Sequence, residues 1–287
     1  MSLSWGIVAV VLFGALLHAS WNALIKAGTD KALDTALMHS LGAAVALPIV
    51  LVAGLPPPAA WPWIATSLTL HIGYYFALAG AYRHGDLGLT YPIMRGLAPL
   101  LVALASGPLI GERLAPSGWL GIAGISAGVL MVGLSHGAGS SPSHGQAIRF
   151  ALMNALIIAA YTVVDGIGVR VAGNAMQYVA TLFLVDGLPY FTLVMWRRGA
   201  QRPAAWAYMA RRWRLSLLGT LASAGSYGIA LWAMTQAPVA VVAALRETSV
   251  LFAALIGAWW LKERFGLRRA AGTALIVGGV MSLRLLA

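Results

Sequence analysis

The chain contains no cysteine, which excludes disulfides, thiolate metal centres and a cysteine nucleophile. Charge is almost as scarce: 9% of the residues are Asp, Glu, Lys or Arg, and only 8 of the 287 are acidic. A soluble domain carries about 25% charged residues, so this chain cannot clothe a surface that faces water. What fills the space is apolar, with 60% hydrophobic residues and a mean hydropathy of +0.82. Apolar runs of about 20 residues, each enough to cross a ~30 Å hydrocarbon core, recur from end to end with short connections. Their length and their lack of period-two alternation argue against transmembrane strands. The expectation is an all-α polytopic membrane protein with no room for a separate soluble catalytic or nucleic-acid-binding domain.

Ten spans are expected, at residues 3–25, 35–54, 63–82, 87–107, 117–134, 147–171, 176–196, 215–234, 239–260 and 269–286. The first has no basic segment ahead of it and no convincing small-residue cleavage site behind it, so it reads as a retained helix and not a signal peptide. The net charge of +11 is distributed unevenly. Ten spans put both termini on one side, where only Arg113, Arg170 and Arg284 are basic, while fourteen lysines and arginines lie in the connections on the other side. The positive-inside rule then places those fourteen in the cytoplasm and both termini outside. Trp206, Tyr208 and Trp213 alternate with arginines between 197 and 214. Such a segment can stack nucleic-acid bases, but an aromatic and basic belt touching anionic lipid accounts for it better. Membrane lipids are expected partners and nucleic acid is not.

The chain also repeats itself. Residues 95–134 lie ungapped over 246–285 at one offset of 151. Arg95 matches Arg246, Glu112 and Arg113 match Glu263 and Arg264, and Gly121 and Gly128 match Gly272 and Gly279. Apolar positions coincide by chance in any membrane protein, whereas intramembrane arginines are rare, so the polar matches carry the weight. Upstream, Ala19-Ser20-Trp21-Asn22 resembles Ala159-Ala160-Tyr161-Thr162 at an offset of 140, and the longer basic connection of the second half absorbs the difference. The organisation read from this is one membrane domain of two five-helix copies, residues 1–140 and 141–287. Because five is odd, the second copy enters the membrane from the opposite face. Inverted repeats of this kind are a transporter architecture, since exchanging the conformations of the two halves exposes a central site to each side in turn.

Two five-helix copies, an apolar helix ending in Gly111-Glu112-Arg113 and again in Lys262-Glu263-Arg264, and a Trp-Asn pair late in the first span resemble the drug/metabolite transporter superfamily, EamA type. The resemblance covers the whole chain, and within the superfamily it is to amino-acid exporters of the YddG kind. It implies secondary export of amino acids, aromatic ones as one option, and related small metabolites from a bacterial cytoplasmic (inner) membrane. Such families are drawn with both termini in the cytoplasm, whereas the charge count puts them outside; the charge count is the expectation kept.

Five formal charges fall well inside spans: Arg95, Asp165, Asp186, Arg246 and Glu247. Each costs at least ~2.5 kcal/mol at mid-bilayer, so each is expected to face a cavity or another charge. An arginine can hold a substrate carboxylate by its bidentate fork while Glu247 or Asp165 takes the ammonium; the same five can equally be interhelical ion pairs. Arg246 and Glu247 point about 100° apart on a helix, so each needs another partner. His71, Tyr75 and Tyr82 fall on one helical face with Tyr74 beside it, and Tyr91 stands one turn before Arg95. With Tyr161 and Tyr227 these hydroxyls are expected to line the interior. Trp21 and Asn22, on the last turns of the first span beside His18, complete the candidate substrate-binding set. The Glu-Arg pairs at helix ends are expected to order turns. Gly124 to Gly128 matches a G-x-S-x-G pattern, but inside an apolar helix small residues at that spacing serve packing. Pro92, Gly96 and Pro99 around Arg95 make the fourth span the expected site of bending, whereas the ninth has no internal proline.

No catalytic residue, metal ligand, cofactor or ATP site is expected, so the protein is read as a transporter and not an enzyme. Its expected partner is a small zwitterionic or amphipathic substrate, and it is expected to act as a monomer. The alternatives are a multidrug or other-metabolite exporter and, less favoured, an intramembrane enzyme.

Overall fold

A computed structural model of the protein describes residues 4–26, 28–85, 87–133, 144–260 and 266–285. Among these residues there are eleven α-helices and no strand. The first half supplies α1 (Trp5–Lys26), α2 (Lys31–Ala53), α3 (Trp61–His84), α4 (Leu87–Ile110) and α5 (Pro116–Gly133). The second supplies α6 (His144–Ala172), α7 (Ala175–Arg198), α8 (Arg202–Met234), α9 (Val239–Arg246), α10 (Ser249–Trp260) and α11 (Leu267–Leu285). Seven stretches among the described residues are long and apolar enough to cross a membrane, and one of these, Ala175–Met234, runs through both α7 and α8.

Helix starts and stops follow local chemistry. Asp30 caps α2 by accepting from Leu33 N, and Asn174 caps α7 by accepting from Met176 N and Gln177 N. Gly111 at φ 76° ends α4, and Gly173 at φ 67° ends α6, a backbone region that other residues enter at a cost.

Two elements depart from the sequence expectation. The basic segment ahead of the eighth span is helical: α8 begins at Arg202, with Pro203 in its first turn where a missing N–H costs nothing, and continues for 33 residues. At about 1.5 Å per residue that helix outruns the hydrocarbon core. The ninth span is two helices, α9 and α10, separated at Glu247 and Thr248. Here the backbone ladder tightens to i−3 bonds, Glu247 N to Ala244 O, Thr248 N to Leu245 O and Val250 N to Glu247 O, and the Thr248 hydroxyl takes Leu245 O at 2.6 Å. By contrast, α4 continues as one helix through Pro92, Pro99 and Pro108. Pro92 lies against Gly133 of α5, in space that any side chain there would occupy.

The packing is organised by helix pairs. The closest is α5 with α11, where glycines let the backbones touch. A Cβ on Gly121 would lie 2.9 Å from Gly279 O and one on Gly279 2.6 Å from Gly121 O, while Gly128 and Gly272 approach reciprocally at 2.6 and 2.9 Å. Numbers rise along one helix as they fall along the other, so α5 and α11 run antiparallel. Further pairs are α2 with α7, α3 with α6 and α1 with α8, and α4 packs on α6 and α9. The short α9 is enclosed: every residue from Val239 to Leu245 is buried.

Candidate functional site

The enclosed α9 places opposite charges at its two ends. At its start, the Glu112 carboxylate accepts from Val239 N at 2.9 Å, which suits the positive end of a helix dipole. At its last turn stands Arg246, which suits the negative end. Glu247 follows as the cap and would be unfavourable there alone, but its Oε2 lies 2.8 Å from Arg95 Nε of α4. Arg95 Nη2 also contacts His18 Nε2 of α1 at 3.3 Å. Both members of the Arg95–Glu247 pair are buried, at 8% and 4% exposure.

Arg246 points elsewhere, as the 100° between neighbours requires. Its guanidinium sits 5.3 Å from the centroid of the Tyr227 ring, a cation–π contact, and its buried Nε has no hydrogen-bond partner among the described residues. Tyr227 donates its hydroxyl to Asp165 Oδ2, and Tyr178 donates to Oδ1 at 2.9 Å. The Asp165 charge is therefore met by two phenols and by no arginine or lysine ion pair among the described residues. His71 stacks on Tyr161 with centroids 4.5 Å apart. Arg95, Arg246, Glu247 and Tyr161, with Pro99, Ile158, Thr162 and Ala243, line one central cavity where α4, α6 and α9 meet. It has room for about one water molecule.

Beyond the cavity, polar ties join the first half of the chain to the second at both ends of the bundle. At one end Arg170 of α6 donates to Glu112 Oε1 at 2.7 Å and to Met234 O at 2.8 Å. At the other, Arg198 donates to Asp30 Oδ2 at 2.6 Å, Arg212 to Asp34 Oδ1 at 2.7 Å and Tyr208 to Asp34 Oδ2 at 3.1 Å. Glu112 thus orders its turn by reaching Arg170 and α9. Lys262, Glu263 and Arg264, the matching positions of the second half, lie outside the described residues.

Of the candidate residues, Arg95, Tyr161, Arg246 and Glu247 share the cavity, and His71, Asp165 and Tyr227 adjoin it. Tyr74 packs edge-on to Tyr161, and its carbonyl accepts from Asn154. Tyr91 packs in the same cluster. The single aromatic face expected on the third span divides. His71 goes to Tyr161, whereas the Tyr75 hydroxyl meets His39 Nε2 at 2.9 Å, and Tyr82 is 40% exposed, one helical end away from the cavity. Eleven residues of helix separate His71 from Tyr82, a rise of about 16 Å, so sharing a face does not mean sharing a pocket. Trp21 packs edge-on to His18 and Asn22 bonds back to His18 O within α1, and neither is among the residues that line the central cavity. Sequence reasoning passed over His39, Tyr178 and Tyr190; an ionisable histidine inside an apolar run was the signal available for the first.

Residues 146–285 match the EamA-like transporter family. A search of curated proteins yields no match. A crystal structure of another protein superposes on 98% of this chain and 99% of its own with a TM-score of 0.78 at 22% identity, a likeness of fold alone. The second half of the chain is thus similar to an EamA-like transporter domain, within an all-helical protein that has seven stretches long and apolar enough to cross a membrane among the described residues.

Proposed function

We propose that the protein exports amino acids and related small zwitterions across a bacterial inner membrane, as a monomer, by alternating access through the cavity at Arg95, Arg246, Glu247 and Tyr161. The observation that carries this is the unequal state of the two arginines. Arg95 is ion-paired with Glu247 at 2.8 Å, whereas Arg246 lines the same cavity with a cation–π contact and no carboxylate ion pair among the described residues. A buried guanidinium without a carboxylate partner in a low-dielectric space suits a carboxylate. Asp165, two groups away through Tyr227, and Glu247 supply the negative charges for an ammonium.

Support for two inverted five-helix halves comes from the reciprocal glycines. Gly121 meets Gly279 and Gly128 meets Gly272, and since 121 corresponds to 272 and 128 to 279 in the internal repeat, each contact is the twofold image of the other. The pairing of α3 with α6 is likewise mirrored by that of α8 with α1. Ties closed at both ends, around a cavity too small for an amino acid, suit an occluded stage of the cycle.

The test is uptake of radiolabelled amino acids into proteoliposomes containing the purified protein. Arg246→Gln is expected to abolish uptake at equal protein incorporation and with an unchanged elution profile. Uptake by wild-type protein no greater than by empty liposomes overturns the amino-acid reading.

A further inference from the structure

A second polar group sits at membrane depth outside the central cavity. His39 of α2, Tyr75 of α3, and Asp186 and Tyr190 of α7 come together there. His39 Nδ1 lies 3.2 Å from Asp186 Oδ2, and its Nε2 lies 2.9 Å from the Tyr75 hydroxyl. The three rings pack on one another with centroids 5.3 to 5.7 Å apart. When Nδ1–H donates to the carboxylate and Nε2 accepts from the phenol, the imidazole is neutral with both nitrogens used. The Asp186 charge then stands uncancelled. Among the described residues no arginine or lysine ion pair holds it, and its ion-pair partner is His39.

The group is also open. The side chains of His39 and Asp186 are 19% and 25% exposed, whereas those of Arg95 and Glu247 are 10% and 6%. The opening follows from an imbalance in the bundle. α2 packs closely on α8, with Thr220 donating to Met38 O, but α3 and α7, the matching pair under the internal repeat, meet only sparingly. Asp186 and Tyr190 of α7 face Tyr75 of α3 across this sparse contact. Tyr75 touches Tyr74, which touches Tyr161 of the central cavity, so aromatic side chains run unbroken from one place to the other.

We propose that this cluster is a binding site for a primary ammonium group, an outer station on the substrate route. A carboxylate held only by a histidine and walled by tyrosine rings, whose faces carry negative potential, is matched to a cation and not to an anion, and its free lone pairs suit the N–H donors of a primary ammonium. The inference rests on the export reading above for which molecules arrive, and on the cluster alone for what it binds. A zwitterion would then meet an ammonium site at this cluster and a carboxylate site at Arg246. The competing account is that His39 and Asp186 merely fasten α2 to α7.

Asp186→Asn separates the two, because asparagine keeps an oxygen to accept from His39 and loses only the charge. The probes are phenethylamine, which has an ammonium and no carboxylate, and 3-phenylpropionate, which has the reverse. Binding to purified protein is followed by quenching of its intrinsic fluorescence. Wild type is expected to bind both. Asp186→Asn is expected to weaken phenethylamine about tenfold, with 3-phenylpropionate unchanged within about twofold. Tyr190→Leu, which removes one wall and leaves the carboxylate, is expected to weaken the amine about threefold. No binding of phenethylamine to wild type, equal binding to Asp186→Asn, or equal loss of both probes overturns the proposal. The two readings fail separately. Charge-dependent amine binding without amino-acid uptake in proteoliposomes sinks the export reading alone, and uptake with amine binding indifferent to Asp186 sinks this one alone.

Discussion

The fourth span and its repeat partner, the ninth, show where backbone irregularity comes from in this protein. α4 carries Pro92, Pro99 and Pro108 and is one helix, while the partner has no internal proline and is divided into α9 and α10. A proline removes one N–H and crowds one carbonyl, which a helix clasped by neighbours can absorb. The ninth span is interrupted by a different agent: the Thr248 hydroxyl takes Leu245 O, and the ladder shifts to i−3 just where Arg246 and Glu247 stand. That places the charged residues at a joint, with Arg246 turned to Tyr227 and Glu247 to Arg95. The break in the backbone ladder thus lies in the ninth span, while the fourth, the expected site of bending, runs as one helix through its prolines.

The harshest way to test this comparison is to cut the link between the two spans. Glu247→Ala leaves Arg95 buried without its carboxylate, and the expected cost is about 3 kcal/mol of stability together with loss of flux. The paired replacement Arg95→Met with Glu247→Leu removes both charges and is expected to recover most of the melting temperature while flux stays absent. Thermal unfolding alongside proteoliposome uptake reads both. Recovery of flux in the double variant would mean that the pair only holds α4 to α9.

A milder perturbation addresses the joint itself. Thr248→Val keeps the shape of the side chain and removes the hydroxyl that competes for Leu245 O. The expected stability change is about 1 kcal/mol, and the informative quantity is the rate. Uptake is expected to slow several-fold with substrate affinity unchanged, because a straighter α9–α10 has one fewer way to bend. Unchanged uptake would show that the break is a static feature.

The difference between these spans also marks what the sequence could and could not disclose. Helix positions were legible because an apolar run of membrane length permits little else. Glu247 and Arg246 were legible as residues needing separate partners, since adjacency on a helix fixes their divergence. The partner of Glu247 was not, because the five charges allow several pairings and only the packing of α4 on α9 selects Arg95. The break at Thr248 was missed for a related reason. Threonine inside a helix either bonds back to a carbonyl or faces outward, and which it does depends on neighbours that the chain order does not reveal. His39 was missed because nothing local separates a histidine fixed to Asp186 from one merely enclosed.

The smallest expected effect completes the comparison, at Pro92. Replacing it with alanine returns an N–H that can bond the carbonyl four residues back, a gain for α4. Against this, the ring packs on Gly133 of α5, so its loss leaves a gap between the helices, and the more flexible residue raises the entropy of the unfolded chain. These contributions oppose each other, and none exceeds about 1 kcal/mol. Pro92→Ala is therefore expected to leave both melting temperature and uptake close to wild type, with flux within about twofold. Measured beside Thr248→Val in the same vesicles, it ranks the two spans directly. If Pro92→Ala slows uptake as much as Thr248→Val does, bending in α4 matters to the cycle as well, and the asymmetry between the spans is one of appearance and not of motion.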